Sequence, residues 1–255
     1  MAPNQMLPGA ITLYKAKLRK LDFLKIPPAE RNLFIVLGVM ISEFHTLNKI
    51  LIFILNQNVD NDEIKRKARS VQFFQIAPIL IGKINEGWNV VTKCYFGSQL
   101  SKSIHPHLDR AAQQSVDELK KYFGKSNLVN RIRNMYSFHY PVDTDDTLRK
   151  IGGREDWNLY ISDLNINCLF HGCNIVTMFG MLESIDPASI EKASHELIDD
   201  LKAMLGHFDE FTSSYMNYVA KKYLGHSIKR LNIRRLQIEN LQSLRKVELP
   251  YFVTN

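Results

Sequence analysis

The feature that most constrains this chain is a long apolar stretch with helical spacing. Between Pro27-Pro28 and Asn56, apolar side chains recur at Leu33, Val36, Leu37, Met40, Phe44, Leu47, Leu51 and Ile54. Steps of three and four mark one buried helical face. A proline pair suits the first turn, and Glu30 suits the positive end of the helix dipole. Glu43, His45, Asn48 and Lys49 interrupt the stretch. It therefore falls short of an unbroken apolar span of about 18 residues and reads as a core helix, not a membrane helix.

The same periodicity continues downstream. A second helix is expected from Asp60-Asn61-Asp62-Glu63, whose side chains suit a cap and first turn, towards Trp88. Pro78 should kink it, and Gly82 and Gly87 should weaken it. His105-Pro106-His107 opens a third helix over about 108–123, with Gly124 as its terminating residue. A shorter helix over about 127–140 is bounded by Pro141. A polar, turn-rich stretch and a short extended segment at Trp157-Asn158-Leu159-Tyr160-Ile161 come next. Further helices are expected over about 166–182 and 188–223, the latter with apolar Leu197, Leu201, Met204, Leu205, Phe208 and Tyr215. The remainder is basic and carries an apolar peg, Pro250-Tyr251-Phe252-Val253. The chain thus reads as one all-α helical bundle over 1–255, with an irregular insertion at about 141–165 and C-terminal helices over about 166–255.

Composition narrows the class. Apolar residues make up 45% of the 255, enough to bury a sizeable core, so disorder is not the default. The net charge of +7 favours a polyanionic partner. Three cysteines, Cys94, Cys168 and Cys173, form no CxxC pair and fit a reducing, cytoplasmic setting. Met1 to Gly9 has no basic region followed by an apolar one, so no signal peptide and no membrane association are expected. There is no Walker, HExxH or serine-elbow pattern, and no cofactor is called for.

One segment carries chemistry: Ile132-Arg133-Asn134-Met135-Tyr136-Ser137-Phe138-His139-Tyr140. Metal-free RNA cleavage needs a group that moves a proton near neutral pH, which suits His139. It also needs a fixed cation for the phosphorane charge, which suits Arg133. Asn134 can orient the ribose or hold the histidine tautomer. The segment resembles the active-site motif of HEPN-domain ribonucleases, in which Arg and a polar residue, often Asn, precede a His. The resemblance spans about 27–140 as a helical arrangement, with its specific content in the motif. It implies a metal-independent endoribonuclease with Arg133, Asn134 and His139 as catalytic residues. It also implies a homodimer that juxtaposes two motifs, and a role as a toxin with an antitoxin partner, in phage defence or in RNA processing. On an ideal helix Arg133 and His139 lie about 120° apart. The helix must therefore loosen before Pro141, or Arg133 must reach round.

Other residues are read beside that motif. Glu43, near the buried face of the first helix, is either a partner that orients Arg133 or an exposed edge residue. Tyr140 and the run Lys65, Arg66, Lys67 and Arg69 offer RNA contacts, though a solvated helical face is the commoner meaning of such a run. His105 and His107, at i and i+2, do not face one way on a helix, and no metal site is expected there. The alternative for the whole chain is a non-catalytic helical module that binds nucleotide, RNA or protein.

Overall fold

The computed structural model describes residues 11–16, 18–59, 61–138, 144–152, 157–225, 234–238 and 241–254. Helix accounts for about 74% of the structure, so the fold is all-α. In chain order the described elements are β1 (Ile11–Lys15), α1 (Lys20–Leu24), α2 (Pro28–Leu55), α3 (Glu63–Val91), α4 (Leu100–Ile104), α5 (Arg110–Phe123), α6 (Leu128–Ile132), α7 (Asp145–Lys150), α8 (His171–Ile185), α9 (Ile190–Leu224) and β2 (Arg234–Ile238).

Three long helices, α2, α3 and α9, form the frame. α2 packs along α3 and α9, α5 packs on α9, and α8 bridges α3 and α9. α2 starts at the proline pair and buries Leu33, Leu37, Met40, Phe44, Leu51 and Ile54. Val36 is the exception to the expected face, at 38% exposed. One continuous apolar core draws on α2, α3, α5, α6, α8 and α9, from Ile26 to Val219. At the α2–α3 crossing, a Cβ on Gly87 would stand 2.7 Å from Met40 Sδ and 2.8 Å from Phe44 Cζ. Only a hydrogen fits there, which explains a glycine in the interior of a long helix.

A buried carboxylate ties the ends of two of these helices together. Glu30 in the first turn of α2 is 6% exposed. Its Oε1 accepts from Tyr223 Oη at 2.7 Å and from Lys222 Nζ at 3.3 Å, both in the last turn of α9. Tyr215 Oη donates to the Glu30 carbonyl at 2.8 Å. Such a group is stable in a low-dielectric setting only with partners of this kind.

Several expectations are corrected. α2 is, by length and composition, apolar enough to cross a membrane, and 22% of its most apolar window is buried. Its outer face exposes Ile35 and Val39, and it also lines an open apolar groove of about 790 Å³ with α1, α3 and α9. α3 runs through Pro78 to Val91 and widens into a π-helical turn at Thr92–Phe96. Gly124 closes α5 in a right-handed conformation, whereas Gly225, at φ 75°, ends α9 in the left-handed one. The turn-rich stretch contains a short helix, α7, braced by an Asp145–Arg149 pair. Beyond Gly225 the described residues form no α-helix. β2 pairs antiparallel with β1, Ile11 opposite Ile238, and a 3₁₀ turn at Leu244–Lys246 leads into an extended strap. β-branched and aliphatic residues in β1 favour that pairing, but no local signal announces a partner so distant in sequence.

Candidate functional site

The motif begins on α6, which is capped by Asn127, whose side chain accepts from the Asn130 backbone N–H. Directly after Ile132 the helix widens into a π turn at Arg133–Ser137. π turns relax the angular spacing of an α-helix. The helix thus departs from regular α geometry at the motif, while the placement of His139 against Arg133, which the spacing put in question, is a separate matter. His139, Tyr140 and Pro141 lie outside the described residues.

Arg133 is half-buried, with 38% of its side chain exposed. Its Nη1 donates to Asn134 Oδ1 at 3.2 Å, so the two motif residues engage each other. Its Nη2 stands 3.7 Å from Glu86 Oε1 on α3, an ion pair longer than a hydrogen bond. Its Nε is buried and has no hydrogen-bond partner among the described residues. Glu43 does not orient Arg133. Its carboxylate is 45% exposed and pairs with Lys83 at 3.0 Å, so the exposed-edge reading holds.

α3 presents a polar stripe to this turn. Asn85, Glu86 and Asn89 face α6, with Asn85 Nδ2 donating to Asn130 Oδ1 at 2.5 Å and Asn89 Nδ2 donating to Asn85 Oδ1 at 3.4 Å. One turn earlier, Gly82 receives the motif's aromatic end. A Cβ there would run into Phe138 Cε2 and stand 3.2 Å from Ser137 Cβ. The glycine is thus a seat for the Phe138 ring, which remains 54% exposed on its other side.

Beside the seat lies a groove of about 430 Å³. α3 contributes Phe74, Gln75, Pro78 and Ile79, the π turn and its end contribute Tyr136, Ser137 and Phe138, and α8 contributes Asn174, Thr177, Met178 and Met181. Burial, and secondarily the Glu183 carboxylate, push the Tyr136 phenol above its usual range. Tyr136 therefore lines the groove with its hydroxyl protonated.

The basic run lies far along α3 from Arg133 and Glu86. Lys65 and Arg66 are exposed, Lys65 pairing with Asp62 at 3.4 Å. Lys67 Nζ turns to Glu63 at 2.7 Å and Tyr160 Oη at 3.2 Å, and Arg69 Nη1 donates to the Gln57 carbonyl at 3.2 Å. At about 1.5 Å per residue, the run lies roughly 25–30 Å along α3 from Glu86. His107 stacks on Tyr218, with ring centroids 5.4 Å apart. Among the described residues, no group of three or more His, Cys, Asp or Glu side chains is placed to hold a metal ion.

Sequence reasoning missed Glu86, the asparagine stripe, the Gly82 seat and the α8 wall. A signal existed for part of this. Gly82, Asn85, Glu86 and Asn89 follow one another at helical spacing within an otherwise apolar stretch. Fold and site together define an all-α bundle carrying an arginine–asparagine pair beside an aromatic groove. No protein-family model, curated protein or solved structure matches the chain.

Proposed function

We infer that the protein is a metal-independent endoribonuclease of HEPN type, acting through Arg133, Asn134 and His139. The observation that carries this reading is the state of Arg133. Its Nη1 donates to Asn134, its side chain is more than a third exposed, and among the described residues Nη2 makes no hydrogen bond. A guanidinium so placed has donors left for a phosphate oxygen, which it binds best in bidentate fashion. In this reading Arg133 holds the scissile phosphate and the charge that develops on it. His139 moves the proton at the 2′-hydroxyl or the 5′-leaving oxygen. Phe138 and Tyr136 give bases an aromatic surface on which to stack. A homodimer that brings two motifs together, a cytoplasmic location and a role as a toxin or phage-defence effector belong to the same proposal.

The test is cleavage of single-stranded RNA in EDTA. Wild-type protein is expected to cut, with Arg133→Ala and His139→Ala each slower by roughly 10²–10³-fold. Cleavage that survives both substitutions overturns the reading.

A second reading, a helical module that binds nucleotide, RNA or protein without cutting, draws on Glu86. That carboxylate already neutralises part of the Arg133 charge. Under this reading the RNA stays intact while Arg133→Ala still weakens its binding.

A further inference from the structure

The strap at 241–254 is held in an unusual way for an integral part of a fold. None of its residues is fully buried, and only Val247, Tyr251 and Phe252 are even half-buried. What the rest of the protein grips is its backbone. Asn56 Nδ2 donates to the carbonyls of Leu244, at 2.6 Å, and Val247, at 3.0 Å. Gln57 Nε2 donates to the Leu249 carbonyl at 2.5 Å, and the Leu249 N–H donates to the Phe53 carbonyl at 3.2 Å. Asn167 makes a two-way pair with Val253. Its Nδ2 donates to the Val253 carbonyl at 2.7 Å, and its Oδ1 accepts the Val253 N–H at 2.9 Å.

Side chains enter at one place. Tyr251 and Phe252, edge to face at 5.1 Å, pack on a small apolar cluster centred on Ala68, Val71 and Leu169. Tyr251 Oη also donates to the Cys168 carbonyl at 2.6 Å. Main-chain bonds along an extended segment, with one pocket for anchoring side chains, are how peptide-binding domains hold their ligands. Pro250 stiffens the strap just before the anchors and so lowers the cost of ordering it.

We propose that this seat is a binding site for a peptide that enters through a 3₁₀ turn and runs on extended to a paired aromatic anchor, and that its occupant is the chain's own 244–253 segment, docked reversibly in cis. The seat is built from elements outside the strap. Asn56 and Gln57 lie at the end of α2, Ala68 and Val71 lie on α3, and Leu169 is bridged to Tyr160. Docking also reaches the groove, because Met178 packs against this cluster and lines the groove beside Phe138. The strap's anchors and the groove thus share one wall residue, Met178, on α8. This does not rest on the nuclease reading.

The experiment uses the full chain carrying Tyr251→Ala with Phe252→Ala, which removes its own anchors. It is titrated with a fluorescent synthetic peptide of the 243–254 sequence. A seat that is about 90% self-occupied lowers apparent affinity about tenfold. The double variant is thus expected to bind the peptide at least about tenfold more tightly than wild type. Adding Asn167→Ala to the double variant should weaken that binding. Equal affinity for both chains, binding indifferent to Asn167, or no binding by a folded double variant overturns the proposal. Hydrogen exchange on the wild-type chain gives an independent readout. The Leu249 and Val253 amides should exchange together, protected but well ahead of the α3 core. Exchange only with global unfolding, or no protection at all, overturns it as well.

Discussion

At the level of single residues, the arginine and asparagine of the motif were legible because their chemistry is carried by residue type and order. The partner of Arg133 was not. Both Glu43 and Glu86 sit on long helices, and Glu43 drew attention because it interrupts an apolar stretch. Choosing between them needs the register of α3 against α6, which periodicity within either helix does not contain. That register places Glu86 3.7 Å from Arg133 and leaves Glu43 with Lys83. Exposed pairs of this kind contribute about 1 kcal/mol or less. Glu86→Gln should therefore leave the melting temperature nearly unchanged. On the proposed nuclease reading, freeing the Arg133 charge should also tighten single-stranded RNA binding by up to about fivefold at low salt, a gain that fades as salt is added. Titration of a labelled RNA at two ionic strengths checks this. Weaker binding by the variant would mean that Glu86 orients the guanidinium, not that it screens it.

The secondary-structure elements divide by how local their causes are. α2 and α9 were readable almost to the residue, since a proline pair, a polar break and steps of three and four are all local. The π turns, the left-handed stop at Gly225 and the β1–β2 pair were not, because packing partners decide them. Gly82 and Gly87 show the same divide. The sequence marks both as weak points in α3, and the structure makes them contact points. For Gly87→Ala, the gain in helix propensity is about 1 kcal/mol. The added methyl would stand 2.7–2.8 Å from Met40 and Phe44 inside a filled core. Overpacking there costs about 1–3 kcal/mol, so the sum should favour destabilisation. Urea unfolding should show a lower midpoint with an unchanged slope. A higher midpoint would show that the α2–α3 crossing has slack.

For the molecule as a whole, the fold class followed from composition and period, and the strap's docking did not, since it depends on side-chain amides meeting a distant backbone. Stability at high pH is also a property of the whole core. Burial pushes the phenols of Tyr95, Tyr122 and Tyr215 up, with Asp117, Asp200 and Glu30 respectively adding to it. An unfolded tyrosine ionises near pH 10. Above that, the folded state holds protons that the unfolded state has lost, so stability is intact below about pH 10 and falls as pH rises beyond it. Thermal melts between about pH 8 and 11 should decline only at the alkaline end, with the share of the tyrosinate absorbance that belongs to Tyr95, Tyr122 and Tyr215 appearing together with the loss of helix. The pairing of Ile11–Lys15 with Arg234–Ile238 has a consequence for the order of events in folding. It closes a loop of more than two hundred residues, whereas each helical hairpin closes only a short one, and closure entropy rises with that length. The ribbon must therefore wait for the helices to shorten the path between its strands. It is thus expected to form after the rate-limiting step, so that a substitution weakening the pair should speed unfolding and leave the refolding rate unchanged in stopped-flow measurements.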